Sequence, residues 1–92
     1  MKYIFVGTLD RQWVGRQKDR VDAAGVKGAE LGIAFEAIYY TQGAYDFIDV
    51  VEAPDANAVL AFSIWYAKQG YGRITTMPAF DEAAMETAVG MM

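Results

Sequence analysis

One carboxylate stands where its surroundings would change its chemistry. Asp49 falls in register with Phe47 and Val51 on a stretch whose alternate residues are aromatic or branched. A carboxyl group held among apolar side chains loses hydration, its pKa rises, and it becomes a candidate general acid or base. The plainer alternative is an ion pair or a solvated rim position. Arg73, near the start of the last apolar stretch, has the parity to be its partner. Tyr39, Tyr45, Phe47 and Arg73 form the candidate ligand-binding set: the phenols donate hydrogen bonds and the arginine orients a substrate. As strand residues, the same aromatics serve equally well in a core or an interface.

The composition narrows the chemistry further. The chain has no cysteine and no histidine. That removes a thiolate nucleophile, sulfur-ligated metal, the usual general base and the commonest zinc and haem ligand. A tyrosine or methionine could ligate haem in principle, but no metal site and no cofactor is expected. A formal charge of −4 without a basic run argues against nucleic acid as a partner. No stretch approaches the ~20 apolar residues of a membrane span. The apolar run Tyr3 to Val6 is too short for a signal peptide, so a cytoplasmic location and no membrane partner are expected.

Alternation and three-and-four spacing divide the 92 residues into elements. Lys2 to Thr8 alternates as a strand, with Tyr3 and Phe5 on one face and Ile4 and Val6 on the other. Leu9 to Gly32 reads as an amphipathic helix with Val14, Val21, Ala24 and Leu31 on its apolar side. Asp10 suits its N-cap and Gly32 its C-cap, and Gly15 invites a break. Gly15, Gly25 and Gly28 weaken a helix, which suggests close contact with the sheet. Ile33 to Thr41 and Tyr45 to Glu52 form two strands around Gln42-Gly43-Ala44, with Gly43 making the turn. Asp46 is expected to fix this hairpin by bonding backbone N–H groups.

Pro54 ends the third strand and Asp55 caps a second helix, Asp55 to Gln69. Val59, Phe62 and Tyr66 make one stripe of that helix; Ala58, Ala61 and Trp65 make another, with Trp65-Tyr66 a candidate subunit contact or pocket lip. Arg73 to Phe80 is the last strand, with Pro78 placing it at an edge or near its own end. The domain therefore spans residues 1–80, followed by a short C-terminal helix or tail over 81–92.

Strand, helix, strand, strand, helix, strand is the order of a ferredoxin-like α+β sandwich, a four-stranded antiparallel sheet with two helices on one face. Six Tyr, five Phe and two Trp exceed what one small domain hides alone. If the helices cover Ile4, Val6, Ile38, Ile48, Val50 and Ile74, the aromatic face is left open. Two such faces packed across a two-fold axis give a dimeric α+β barrel. A homodimer or larger homo-oligomer is expected, with any small-molecule cavity inside the barrel.

Gly43-Ala44-Tyr45-Asp46, followed by Val51-Glu52-Ala53-Pro54-Asp55, resembles the motif of the GYD domain family. The likeness extends to Lys2-Tyr3-Ile4, Thr8, Leu31-Gly32, Tyr39-Tyr40-Thr41 and the Gly70 to Phe80 segment. The run Phe62 to Tyr66 departs from the smaller residues of that pattern. The resemblance implies a ferredoxin-like domain that associates through its sheet, and it carries no agreed catalytic residues. Gly43, Tyr45, Asp46, Pro54 and Asp55 are read as structural motif residues. The functional expectation is a self-associating protein of uncharacterised role that holds a small apolar or aromatic ligand. The alternative is a cofactor-independent oxygenase or isomerase of the dimeric barrel type, with Asp49 as its acid or base.

Overall fold

The computed structural model describes residues Met1–Met92. Strand β1 (Lys2–Leu9) leads through a short 3-10 turn at Arg11–Trp13 to helix α1 (Gln17–Glu30). Strands β2 (Ala34–Tyr40) and β3 (Phe47–Glu52) follow, then α2 (Ala56–Lys68), β4 (Gly72–Pro78) and α3 (Glu82–Gly90). The sheet order is β2-β3-β1-β4, with every neighbouring pair antiparallel. β1 and β2 therefore run parallel to each other, as do β3 and β4, and each pair is joined through a helix. Right-handed crossovers carry both helices to one face of the sheet. No helix is long and apolar enough to cross a membrane.

Local chemistry accounts for the element ends. Asp10 caps only the 3-10 turn, accepting from the Gln12 N–H; the chain then breaks at Gly15, and α1 starts later than the spacing suggests. Asp55 accepts from the Ala58 N–H at 2.9 Å and starts α2. Asp81 does the same for α3, through the Ala84 N–H. β4 is an edge strand that stops at Pro78. Asp46 departs from its expected role. Its carboxylate accepts from the Leu9 N–H at 2.7 Å, so it ties β3 to the end of β1 instead of closing its own hairpin. The hairpin loop is closed by Thr41, whose N–H donates to Asp46 and whose hydroxyl donates to the Tyr45 carbonyl.

The helices cover the aromatic face, which overturns the expected assignment of the two faces. Tyr3, Phe5, Phe47 and Val51 are buried beneath Val59, Phe62 and Tyr66 of α2. Phe62 stacks on Phe5 at 5.5 Å between ring centroids, and Tyr66 lies 6.0 Å from Phe47. A helix stacked on a sheet leaves a layer deep enough for large rings, and the large residues of α2 need partners of that size to fill it. Ile4, Val6, Ile48 and Val50 consequently face away from the helices. On this open face Lys2 pairs with Glu36 and Glu52 near one end, and Arg73 stands opposite Thr8.

Strand β2 also departs from simple alternation. An irregularity between Phe35 and Ala37 shifts its register against β3. Phe35, opposite Val51, and Ile38, opposite Asp49, both share the helix side, while Tyr39, opposite Ile48, moves to the open side. One extra residue thus reverses the parity of everything after it.

Helix α3 stands apart. It contains no buried residue; Met85 and Val89 are exposed along it and Phe80 is exposed just ahead of it. The radius of gyration is 14.2 Å, against about 12 Å for a compact chain of this length.

Candidate functional site

The aromatic layer is interrupted by two charges. Asp49 is 7% exposed and Arg20 is 4% exposed. Asp49 enters from β3, where period-two alternation sends it to the same side as Phe47 and Val51. Arg20 enters from α1, four residues before Ala24 and eight before Gly28, on the stripe that faces the sheet. The Gly28 backbone approaches so closely that a Cβ there would lie 2.8 Å from the Phe35 ring. This contact draws the C-terminal half of α1 down onto β2.

The hydrogen bonding of the two charges is incomplete. Arg20 Nη1 lies 3.3 Å from the Tyr66 hydroxyl, to which it donates. The guanidinium lies over the Phe47 ring, 5.0 Å from its centroid. Arg20 Nε and Nη2 and Asp49 Oδ1 are buried without a partner. Such groups are rare in native proteins because each forfeits its hydration. All belong to residues lining one cavity of about 130 Å³, walled mainly by Val21, Ala24, Phe35, Ile38, Phe62 and Ile74. Gly25 and Ile38, both exposed, mark its mouth between α1 and β2.

Burial pushes the Asp49 carboxyl up to about 7, with the Arg20 charge pulling the other way. Burial also drives the Tyr66 hydroxyl up to about 12, against the same arginine. Tyr66 is therefore a neutral donor and acceptor at physiological pH, whereas Asp49 can both hold and release a proton. No group of three or more Asp or Glu side chains is placed to hold a metal ion.

Asp49 is the residue that sequence and structure bring to the same place. The other expected ligand residues scatter. Phe47 is buried beneath Arg20, Tyr39 is exposed on the open face, Tyr45 is exposed ahead of β3, and Arg73 is exposed on the opposite face from Asp49. Arg73 is thus no partner for Asp49, because its register neighbour Thr8 alternates away from Phe5, the residue beside Asp49. Arg20 is the buried charge acting on Asp49 that the sequence reading passed over, although no hydrogen bond or ion pair joins the two. Its signal was an arginine in step with Ala24 and Gly28 on the apolar side of a helix. Trp65 packs within its own chain against Phe62 and Tyr71, at 5.5 and 5.7 Å. This cavity lies between the helices and the sheet of a single chain.

A four-stranded antiparallel sheet with α1 and α2 on one face, in β-α-β-β-α-β order, defines a ferredoxin-like α+β protein. Within that class the chain belongs to the GYD domain family, whose model matches residues 3–89. No curated protein and no solved structure matches the chain.

Proposed function

We propose that each chain binds a small, largely apolar molecule with a polar head in the Arg20–Asp49 cavity, and that chains pair through the open sheet face. A largely apolar cavity of about 130 Å³ that has the buried residues Arg20 and Asp49 in its wall carries the binding reading. Engineered cavities of about 150 Å³ hold a benzene ring, so 130 Å³ suits a molecule of about one ring.

Pairing is supported by the aliphatic face on which Ile4, Ile48 and Val50 remain half-exposed around the buried Val6. Four strands of about six residues present roughly 400 Å² of sheet, so two faces bury roughly 800 Å². Stable interfaces bury ~1,200 Å² or more in total. The exposed Phe80, Met85 and Val89, in and just ahead of α3, offer the remaining apolar surface, which makes a second copy of the chain the occupant of choice.

Native mass spectrometry of the purified protein, followed by denaturing analysis of the same sample, tests the binding reading. The expected spectrum carries one extra small mass per chain, released on denaturation. A bare chain that also gains no thermal stability from single-ring ketones or phenols at millimolar concentration overturns it. Catalysis is the second reading, favoured by a carboxyl that titrates at about 7 inside the cavity.

A further inference from the structure

We infer that helix α3 is an arm exchanged between two copies of the chain: each α3 packs on the Tyr39–Tyr45 corner of the other copy, about a two-fold axis that runs diagonally across the strands. The inference rests on the pairing reading above and adds the arm, the surface that receives it and the axis.

The arm has an apolar stripe with nothing of its own chain to cover it. Phe80, Ala84, Met85, Ala88 and Met91 line one apolar hollow along α3, while no residue of the helix is buried. Phe80, Ala84, Ala88 and Met91 recur at three-and-four spacing, which leaves Glu82 and Glu86 on the other side of the helix. The first turn leaves the sheet beside Met1 and Glu52, where Phe80 and Ala84 share a hollow with them. An amphipathic helix in this position gains stability only when a surface meets its stripe.

The register fixes where that surface lies. β4 ends at Pro78, opposite Tyr3, so α3 springs from one corner of the sheet. β2 is the other edge strand and ends at Tyr39 and Tyr40, opposite Ile48 and Phe47, which is the diagonally opposite corner. Tyr45 is held there by the bond from the Thr41 hydroxyl to its carbonyl, and all three tyrosines are exposed. Tyr39 lies on the open face with Ile48. A two-fold axis along the remaining diagonal brings each α3 onto the other copy's tyrosines and crosses the strands at near right angles, a recurrent sheet packing.

The other three corners receive the helix less well. Its own corner would set Asp81, Glu82 and Glu86 against their copies, and none of these three has an ion-pair partner. The corner at Ala34 carries Glu36 and Glu52. The corner at Arg73 offers Thr8 and Gly72 and no large apolar side chain. At the tyrosine corner the one carboxylate, Asp46, is already committed to the Leu9 N–H.

Area favours exchange over an arm folded on its own chain. A helix of nine residues is about 14 Å long and about 10 Å wide, so its footprint is roughly 140 Å². Two such arms, with the surfaces they cover, bury roughly 560 Å² between copies. With the roughly 800 Å² of the two sheet faces the total passes the ~1,200 Å² of stable interfaces, which the sheets alone do not reach.

The test uses the full chain, which has no cysteine to interfere. The variant Tyr39→Cys with Ala88→Cys is oxidised and read by non-reducing electrophoresis. A disulfide needs Cα atoms within about 7 Å. The two corners of one sheet are about 25 Å apart, so a bond joins two chains. A covalent dimer is expected from the double variant and from neither single variant. Light scattering gives a second reading without oxidation. Ala88→Glu, which puts a charge into the stripe, should raise the dimer dissociation constant at least ~10-fold. Glu86→Gln, off the stripe, should leave it within about twofold. A covalent dimer from Ala88→Cys alone, or from Ala88→Cys with Arg73→Cys, would seat α3 on another corner and overturn the inference. A dimer that neither cross-links through Ala88→Cys nor responds to Ala88→Glu overturns it too and leaves pairing through the sheet standing. A wild-type monomer takes down both.

Discussion

Asp49 and Arg20 show what burial does to charge. The Asp49 carboxyl is raised from 3.8 to about 7, so between those values the folded chain holds a proton that the unfolded chain has released. Stability contributed by this group is present below the unfolded pKa and is lost as pH rises through the folded one. The loss amounts to up to about 4 kcal/mol at 1.36 kcal/mol per pKa unit. Asp49→Asn removes the ionisation, so its melting temperature should exceed that of the wild type by more at pH 8 than at pH 4.5. Equal differences at the two pH values would mean that Asp49 is hydrated in the folded chain. The parity of Asp49 with Phe47 and Val51 was legible along the strand. Arg20 was equally present in the helical spacing, but an arginine among Gln17, Lys18 and Asp19 looks solvated until the sheet beneath it is known.

At the scale of elements, the glycines of α1 separate two effects that look alike in a sequence. A Cβ at Gly25 meets nothing within 4 Å, whereas one at Gly28 collides with the Phe35 ring at 2.8 Å. Gly25→Ala should therefore stabilise the chain by up to about 1 kcal/mol through helix propensity. Gly28→Ala should destabilise it, since Phe35 must move out of its packing with Phe5 and Phe62. Urea unfolding of both variants checks the contrast; a stabilised Gly28→Ala would show that α1 and β2 have room to spare. Close helix-to-sheet contact was expected for the glycines as a group, and it holds at Gly28 alone of this pair. The breaks at Gly15 and Gly32 and the cap at Asp55 were readable because each acts on its own backbone. The irregularity between Phe35 and Ala37 was not, because it exists only relative to β3.

For the whole molecule, the open face and α3 make the testable statement. Val50 is half-buried at the centre of the sheet and points away from the helix-side core. Val50→Glu should leave the fold and its circular dichroism unchanged and should shift micromolar light scattering from dimer to monomer. A dimer unaffected by that charge would place the contact elsewhere, and a wild-type monomer would remove the pairing proposal altogether.

By itself the sequence determined the order of elements and, in β1, β3 and β4, the division of the strand into two sets of side chains. Those properties follow from local sterics, capping and the period of two. Which set faces the helices was decided only in three dimensions, by crossover handedness and by the ring-sized layer that Phe62 and Tyr66 share with Phe5 and Phe47. That choice set a cavity between the helices and the sheet of the chain. It also brought Asp49 and Arg20 into the wall of one cavity, because the neighbourhood of a charge is set by distance through space, which strand parity alone does not contain.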